Sequence, residues 1–252
     1  MALQFTINPK YEALRSFITR IPQTFNDEGE EIYNKRNIIK VMTLPDGQRV
    51  NVKRYHRPAG PNLLVYSWGI RKPKCERAFD YPRILLKNGI DTPEPIACIE
   101  ERNGIGLLGY SYFISAQRDN KHTMYEMANA GKEEYEPMAK AIATFAADMH
   151  DKGILHKDFT PGNILWSHDS DGYHFLLVDI NRMYFGNVTI ERGLANMCRL
   201  WGPKNFIILL ARHYVSARNG NEEEAIRLIL KERKRFWTSY LKRHPGEVEI
   251  EF

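Results

Sequence analysis

Residues 154–185 read ILHKDFTPGNILWSHDSDGYHFLLVDINRMYF, and the rest of the chain is best understood outward from them. The stretch predicts loop, short strand, turn, second strand and loop. His156-Lys157-Asp158 opens it, Pro161-Gly162 bends the backbone, and Asn163 follows five residues after the aspartate. Ile164–Trp166 and Phe175–Val178 are expected to pair as a hairpin around Asp169-Ser170-Asp171-Gly172, because Asp-Gly is a strong turn signal. The second strand then delivers Asp179 beside Asn163. One free carboxylate near an amide and a second carboxylate suits phosphoryl transfer. Asp158 would orient or deprotonate an attacking hydroxyl, while Asn163 and Asp179 supply the few oxygen ligands that Mg²⁺ needs beside substrate phosphates. His156 reads as a buried scaffold that orients the loop rather than as a proton shuttle.

Composition bounds the rest. The chain has 252 residues, 43% hydrophobic and 27% charged, an ordinary globular balance and not a disordered one. Its net charge of +5 is compatible with phosphate ligands, nucleic acid or an anionic membrane surface, and decides for none of them. Cys75, Cys98 and Cys198 lack metal-type spacing and predict free buried thiols in a reducing, cytoplasmic setting. No signal peptide is evident, and the longest apolar run, Phe206–Ala211, is too short to span a bilayer. The expectation is a soluble protein or, at most, a peripheral one. No zinc, helix-turn-helix or RNP pattern accompanies the basic residues, so nucleic acid is not the expected partner.

Upstream of the central stretch, residues 8–21 predict an amphipathic helix, with Asn8 as cap and Pro9 at its first position. Ile38–Thr43 and Gln48–Arg54 predict strands around Leu44-Pro45-Asp46-Gly47. Lys53 on the second strand resembles the strand lysine that meets α/β-phosphates, and Glu76 on the next helix is its candidate ion-pair partner. That helix, residues 71–88, is expected to kink or break at Pro82. Ile96–Glu101 and Leu107–Ile114 follow as strands joined by Asn103-Gly104, which completes a sheet of about five. The polar segment 115–121 reads as a hinge. Backbone groups at Ile114, Ser115 and Ala116 would bind the adenine edge, with Val52, Ile96 and Phe113 as candidate walls.

Downstream, Tyr135–Lys152 predicts a helix ended by Gly153, and Arg192–Trp201, Pro203–Arg218 and Asn221–His244 predict three more. The last one carries Lys231, Arg233, Lys234, Arg235, Lys242 and Arg243 on one side. This is either a solvated basic face or a surface for anionic lipid head groups or an acidic substrate.

VKRYHRP around Lys53, CERAFDYPRILLKNGIDTPEP around Glu76, HKDFTPGNIL and VDINRMYF together resemble the bacterial lipopolysaccharide kinase family, the Kdo kinase and core heptose kinase group of the protein-kinase-like superfamily. The resemblance spans residues 53–185. It implies an α+β fold of two lobes: residues 1–115, an antiparallel sheet with one main helix, and residues 116–252, mostly helical. It further implies an ATP- and Mg²⁺-dependent kinase whose acceptor is a sugar hydroxyl of the lipopolysaccharide inner core, lipid-linked or free, at the cytoplasmic face of the inner membrane. Asp158 would be the base, Asn163 and Asp179 the metal ligands, and Lys53–Glu76 the ion pair.

Three departures from protein kinases stand out. The loop Ile32–Asn37 has no glycine to bring backbone amides onto phosphate, leaving Lys35 and Arg36 as charged substitutes. Thr160 stands where a lysine follows the base, and no Ala-Pro-Glu motif follows Asp179. The alternatives are an atypical RIO-like Ser/Thr kinase or a pseudokinase acting as a scaffold, with an aminoglycoside-type phosphotransferase disfavoured by the basic C-terminal half.

Overall fold

The computed structural model describes residues 2–120, 122–246 and 250–252. The chain divides into two compact units: Met1–Lys87 with Thr92–Asp119, and Asn88–Asp91 with Asn120–Phe252. Lys121, at the end of the expected hinge, lies outside the described residues.

The first unit contains β1 (Ala2–Ile7), α1 (Arg15–Thr24), β2 (Glu30–Asn34), β3 (Ile38–Thr43), β4 (Arg49–Tyr55), α2 (Pro61–Ser67), α3 (Lys74–Lys87), β5 (Pro95–Arg102) and β6 (Leu108–Ala116). Its sheet has six antiparallel strands in the order β1-β5-β6-β4-β3-β2, not about five. Beyond the four strands named from the sequence it has β2 and also β1, whose Leu3, Phe5 and Ile7 alternate onto the core while pairing β5. Asn8 caps the next segment as expected, its side chain accepting from the Lys10 N–H. That segment is a 3-10 turn, Pro9–Leu14, before α1 begins.

Two local expectations fail here. Pro82 does not interrupt α3, which runs through it for 14 residues with the ring buried. One lost helix hydrogen bond is offset by apolar burial. Cys75 and Cys98 are not free thiols but a disulfide with Cα atoms 5.7 Å apart, tying α3 to β5, whereas Cys198 is free and buried. The helix Pro61–Ser67 had no sequence signal strong enough to announce it.

The second unit contains β7 (His122–Thr123), α4 (Lys132–Asp151), β8 (Ile154–His156), β9 (Ile164–Asp169), β10 (Gly172–Leu177), β11 (Met183–Phe185), α5 (Ile190–Met197), α6 (Lys204–Ala217) and α7 (Glu222–Arg243). Its core is α4 against α6, through Ile142, Ala143, Ala146, Phe206, Ile207 and Leu210, all fully buried. The hairpin β9–β10 forms as expected, Asp169 opposite Gly172. β8 pairs β11, closing the loop between them.

α5 ends at Met197, not Trp201. The irregular run that follows is held by α7: Trp237 Nε1 donates to the Cys198 carbonyl, and Arg233 donates to the carbonyls of Leu200 and Gly202. Arg233 is therefore not on a basic surface. It is 1% exposed, and burial pulls its pKa down to about 10. Lys231, Lys234, Arg235, Lys242 and Arg243 remain exposed on the same helix. Among the described residues no helix is long and apolar enough to cross a membrane.

Candidate active site

The buried ring of His156 organises the second unit's polar centre. Its Nδ1 accepts from the Asp158 backbone N–H at 3.0 Å, which requires the proton on Nε2, and Nε2–H donates to the Val178 carbonyl at 3.1 Å. Burial lowers its pKa, opposed chiefly by the bond to Val178, so the ring is a neutral brace. One side chain thus ties the loop of Asp158 to the residue before Asp179. This is the scaffold role read from the sequence.

Asn163 completes the brace. Its Nδ2 donates to the Asp158 carbonyl (2.9 Å) and to Thr160 Oγ1 (3.2 Å). With both donors directed into the loop, the amide oxygen is what Asn163 has to offer a cation. The Val178 N–H donates to the Asn163 carbonyl at 3.0 Å, so the chain reaches Asp179 directly beside Asn163. Asp179 is exposed and takes φ +53°, a left-handed conformation that few residues other than glycine adopt, and Asn181 donates to its Oδ1. An amide oxygen and a carboxylate are hard donors in the number that Mg²⁺ takes from protein when phosphates and water supply the rest, so the donor set fits that ion.

Asp158 itself is 32% exposed and flanked by two guanidiniums: Arg182 Nη1 lies 3.5 Å from Oδ2 and Arg199 Nη1 3.8 Å from Oδ1. Tyr125 lies over the bend at Gly162, where a Cβ would come within 2.9 Å of its ring. Burial raises the Tyr125 pKa, and the charge of Asp158 adds to it. Tyr125 in turn meets Trp201 edge-on at 4.9 Å between centroids. The sequence reading missed Arg182, Arg199, Tyr125 and Trp201. Only Arg182, inside the VDINRMYF stretch, carried a signal that could have found it.

In the first unit, cross-strand pairing places Lys53 opposite Phe113 and Phe113 opposite Cys98, one row on one sheet face. Cys98 is bonded to Cys75, the neighbour of Glu76, so Lys53 and the start of α3 share that face. Lys53 Nζ stands 5.3 Å from the Tyr55 ring centroid. Glu100, also missed, is buried nearby. Burial raises its pKa against the pull of Arg102, and the Glu76 charge adds to the rise.

Ile114 and Ser115 lie inside β6, paired on both sides and buried. The Ala116 N–H donates to the Glu94 carbonyl and that of Gln117 to the Arg49 carbonyl. The loop expected to cover phosphate, Ile32–Asn37, is only in part a loop: Ile32–Asn34 pair with β3 as the end of β2, every residue of which is exposed, and only 35–37 form the turn.

Comparison with solved structures places these elements in a known fold. The chain is similar to WaaP in complex with acyl carrier protein, at 13% identity over 96% of this chain and 97% of that one, with a TM-score of 0.54. It is also similar to the amicoumacin kinase hAmiN in complex with AMP-PNP, Ca²⁺ and Ami, at 12% identity over 95% and 88% of the two chains, with a TM-score of 0.51. No curated protein matches the sequence. The model of the lipopolysaccharide kinase (Kdo/WaaP) family matches residues 30–199, a span that contains the Lys53 strand, the braced loop and Asp179. The chain belongs to that family, and it is a kinase of protein-kinase-like fold.

Proposed function

We propose that the protein transfers the γ-phosphate of ATP, with Mg²⁺, to a sugar hydroxyl of the lipopolysaccharide inner core, on Kdo or heptose. The observation that carries the reading is the His156 brace, which puts Asp158, Asn163 and Asp179 on one tied loop. Asp158 would receive the acceptor hydroxyl, and Asn163 and Asp179 would hold the metal that neutralises charge on the transferred group. Lys53, backed by Glu76, would hold the α/β-phosphates. Phosphoryl transfer asks a protein mainly for positioning and electrostatics, and a braced loop supplies both. Ile114, Ser115 and Ala116 form the strand end beside the nucleotide. Because the N–H groups of Ala116 and Gln117 are already bonded, the adenine edge would be met just beyond them.

The exposed cations of α7 would rest against anionic lipid at the inner face of the membrane, where a lipid-linked acceptor is found. The complex of WaaP with acyl carrier protein makes that protein a second partner to test. The deciding assay is transfer of labelled γ-phosphate to a Kdo-lipid A precursor beside Asp158→Ala. Transfer that vanishes in the variant supports the reading. Tight Mg²⁺-ATP binding without transfer moves the acceptor to another sugar or to a protein, and absence of both leaves a scaffold.

A further inference from the structure

The two guanidiniums at Asp158 are not used by the roles above. Their distances to the carboxylate, 3.5 and 3.8 Å, are those of loose ion pairs and not of hydrogen bonds. Pairs this exposed contribute little to stability, so their presence is not explained by the fold. Arg182 is 58% exposed, and among the described residues its side chain makes no hydrogen bond. Its planar fork of donors, the geometry that suits a carboxylate or phosphate, is open to a ligand. Arg199 is positioned more firmly. Nη1 donates to the Lys157 carbonyl at 2.6 Å, and the guanidinium lies 5.3 Å from the Phe236 ring centroid. Two residues on, Trp201 meets Tyr125, which stands over the turn that carries Asn163. One open guanidinium and one held in place, both on the proposed base, with Tyr125 and Trp201 packed at the neighbouring turn, make a site for a ring that is apolar on one face and anionic at one substituent.

Resting on the kinase reading of Asp158, we infer that Arg182 and Arg199 form an anion subsite that selects an acceptor bearing a carboxylate or phosphate on the same sugar ring as the accepting hydroxyl. A hydroxyl hydrogen-bonded to Asp158 and an anion on either guanidinium would be separated by about 4–6 Å, the span of one substituted pyranose. The acceptor anion takes over the guanidiniums as it binds, and Asp158 exchanges two loose cation contacts for the acceptor hydroxyl. Thr160 leaves the loop without the lysine that protein kinases place there, so a rival role for the arginines is contact with the transferred phosphoryl group. The two roles part in the assay.

The experiment measures kcat/KM with Mg²⁺-ATP for a Kdo glycoside and its neutral methyl ester, and for a heptoside with and without a phosphate monoester, in wild type, Arg182→Gln, Arg182→Lys and Arg199→Gln. Wild type should favour the anionic member of at least one pair by about ten- to hundredfold, the range of a lost charge-assisted bond. Arg182→Gln should bring that ratio to within about threefold, mainly through KM, and Arg182→Lys should recover part of it. Which pair responds tells a carboxylate from a phosphate. A ratio that stays put while every rate falls assigns the arginines to the phosphoryl group and overturns the inference. Equal rates on charged and neutral acceptors overturn it while leaving the kinase reading intact. Calorimetric titration of the same sugars in the presence of AMP-PNP covers the converse case. Arg182-dependent binding of the anion without turnover upholds the subsite and sinks the acceptor assignment, whereas no binding of either sugar overturns the subsite.

Discussion

Two parts of this molecule are candidates for contact with phosphate, and they are built in opposite ways. The loop from His156 to Asp179 hangs on a fully buried imidazole whose two nitrogens are both bonded, on Asn163, and on a strand pairing at each end. The hairpin β2–β3, where protein kinases carry a glycine-rich cover, has no glycine in residues 32–37 and no buried residue in its outer strand. The contrast teaches where this fold spends its order. The backbone that carries Asp158, Asn163 and Asp179 is tied by hydrogen bonds at several points, while the outer hairpin has only side-chain charge to offer and no buried residue in β2 to hold it in place.

The largest effects are expected at the loop. Asp158→Asn or Asp179→Asn should cut turnover by about 10²–10⁴, with a melting temperature close to wild type because both side chains are solvent-accessible. Unimpaired phosphate transfer by either variant would remove the loop from the chemistry. Next in size is His156→Ala. It leaves the Asp158 N–H and the Val178 carbonyl without their partner inside the unit, and should lower unfolding free energy by about 2–4 kcal/mol in denaturant titrations, with turnover falling as well. A loss of activity without a loss of stability would mean that the ring does more than brace.

A second buried histidine makes the unit sensitive to acid. His150 in α4 bonds Tyr214 through Nδ1, and burial, with Arg218 and Arg192 nearby, lowers its pKa from 6.5 to about 3. The unfolded chain takes up this proton near pH 6.5, whereas the folded chain resists it until about pH 3. Stability is therefore intact above the upper value and is lost on acidification between the two, at about 1.4 kcal/mol per pH unit for this one group. His156 acts in the same direction. His150→Gln should flatten the acid slope by close to one proton, read from melting temperatures between pH 7 and pH 5. An unchanged slope would place the acid sensitivity elsewhere. The smallest effect is expected at the cover: Lys35→Ala and Arg36→Ala should raise the KM for ATP no more than about fivefold and leave stability alone. A much larger change would show the hairpin to be a firm phosphate clamp, and the comparison would fail.

What could be read in advance divides along the range of the interactions involved. The strands around Lys53, the Asp-Gly hairpin and the cap at Asn8 depend on neighbours a few residues apart, so pattern and turn chemistry were enough. Pro82 stays inside a helix against local expectation because its cost is local while its compensation, burial of the ring, is not. Arg233 was placed on a surface because helical spacing says which residues share a face but not what the face meets. Here it meets three carbonyls, those of Leu200, Gly202 and Glu251.

The order of residues in the chain is enough to bring Asp158, Asn163 and Asp179 together, since they lie within one loop and hairpin whose geometry is set by hydrogen bonds inside it. Only the tertiary structure decided what surrounds that site. Arg199 and Trp201 come from beyond α5, and Tyr125 from before α4. Contacts of that separation leave no periodicity in the chain. They exist because apolar burial brings distant elements together, and the polar side chains at their edges meet as a consequence.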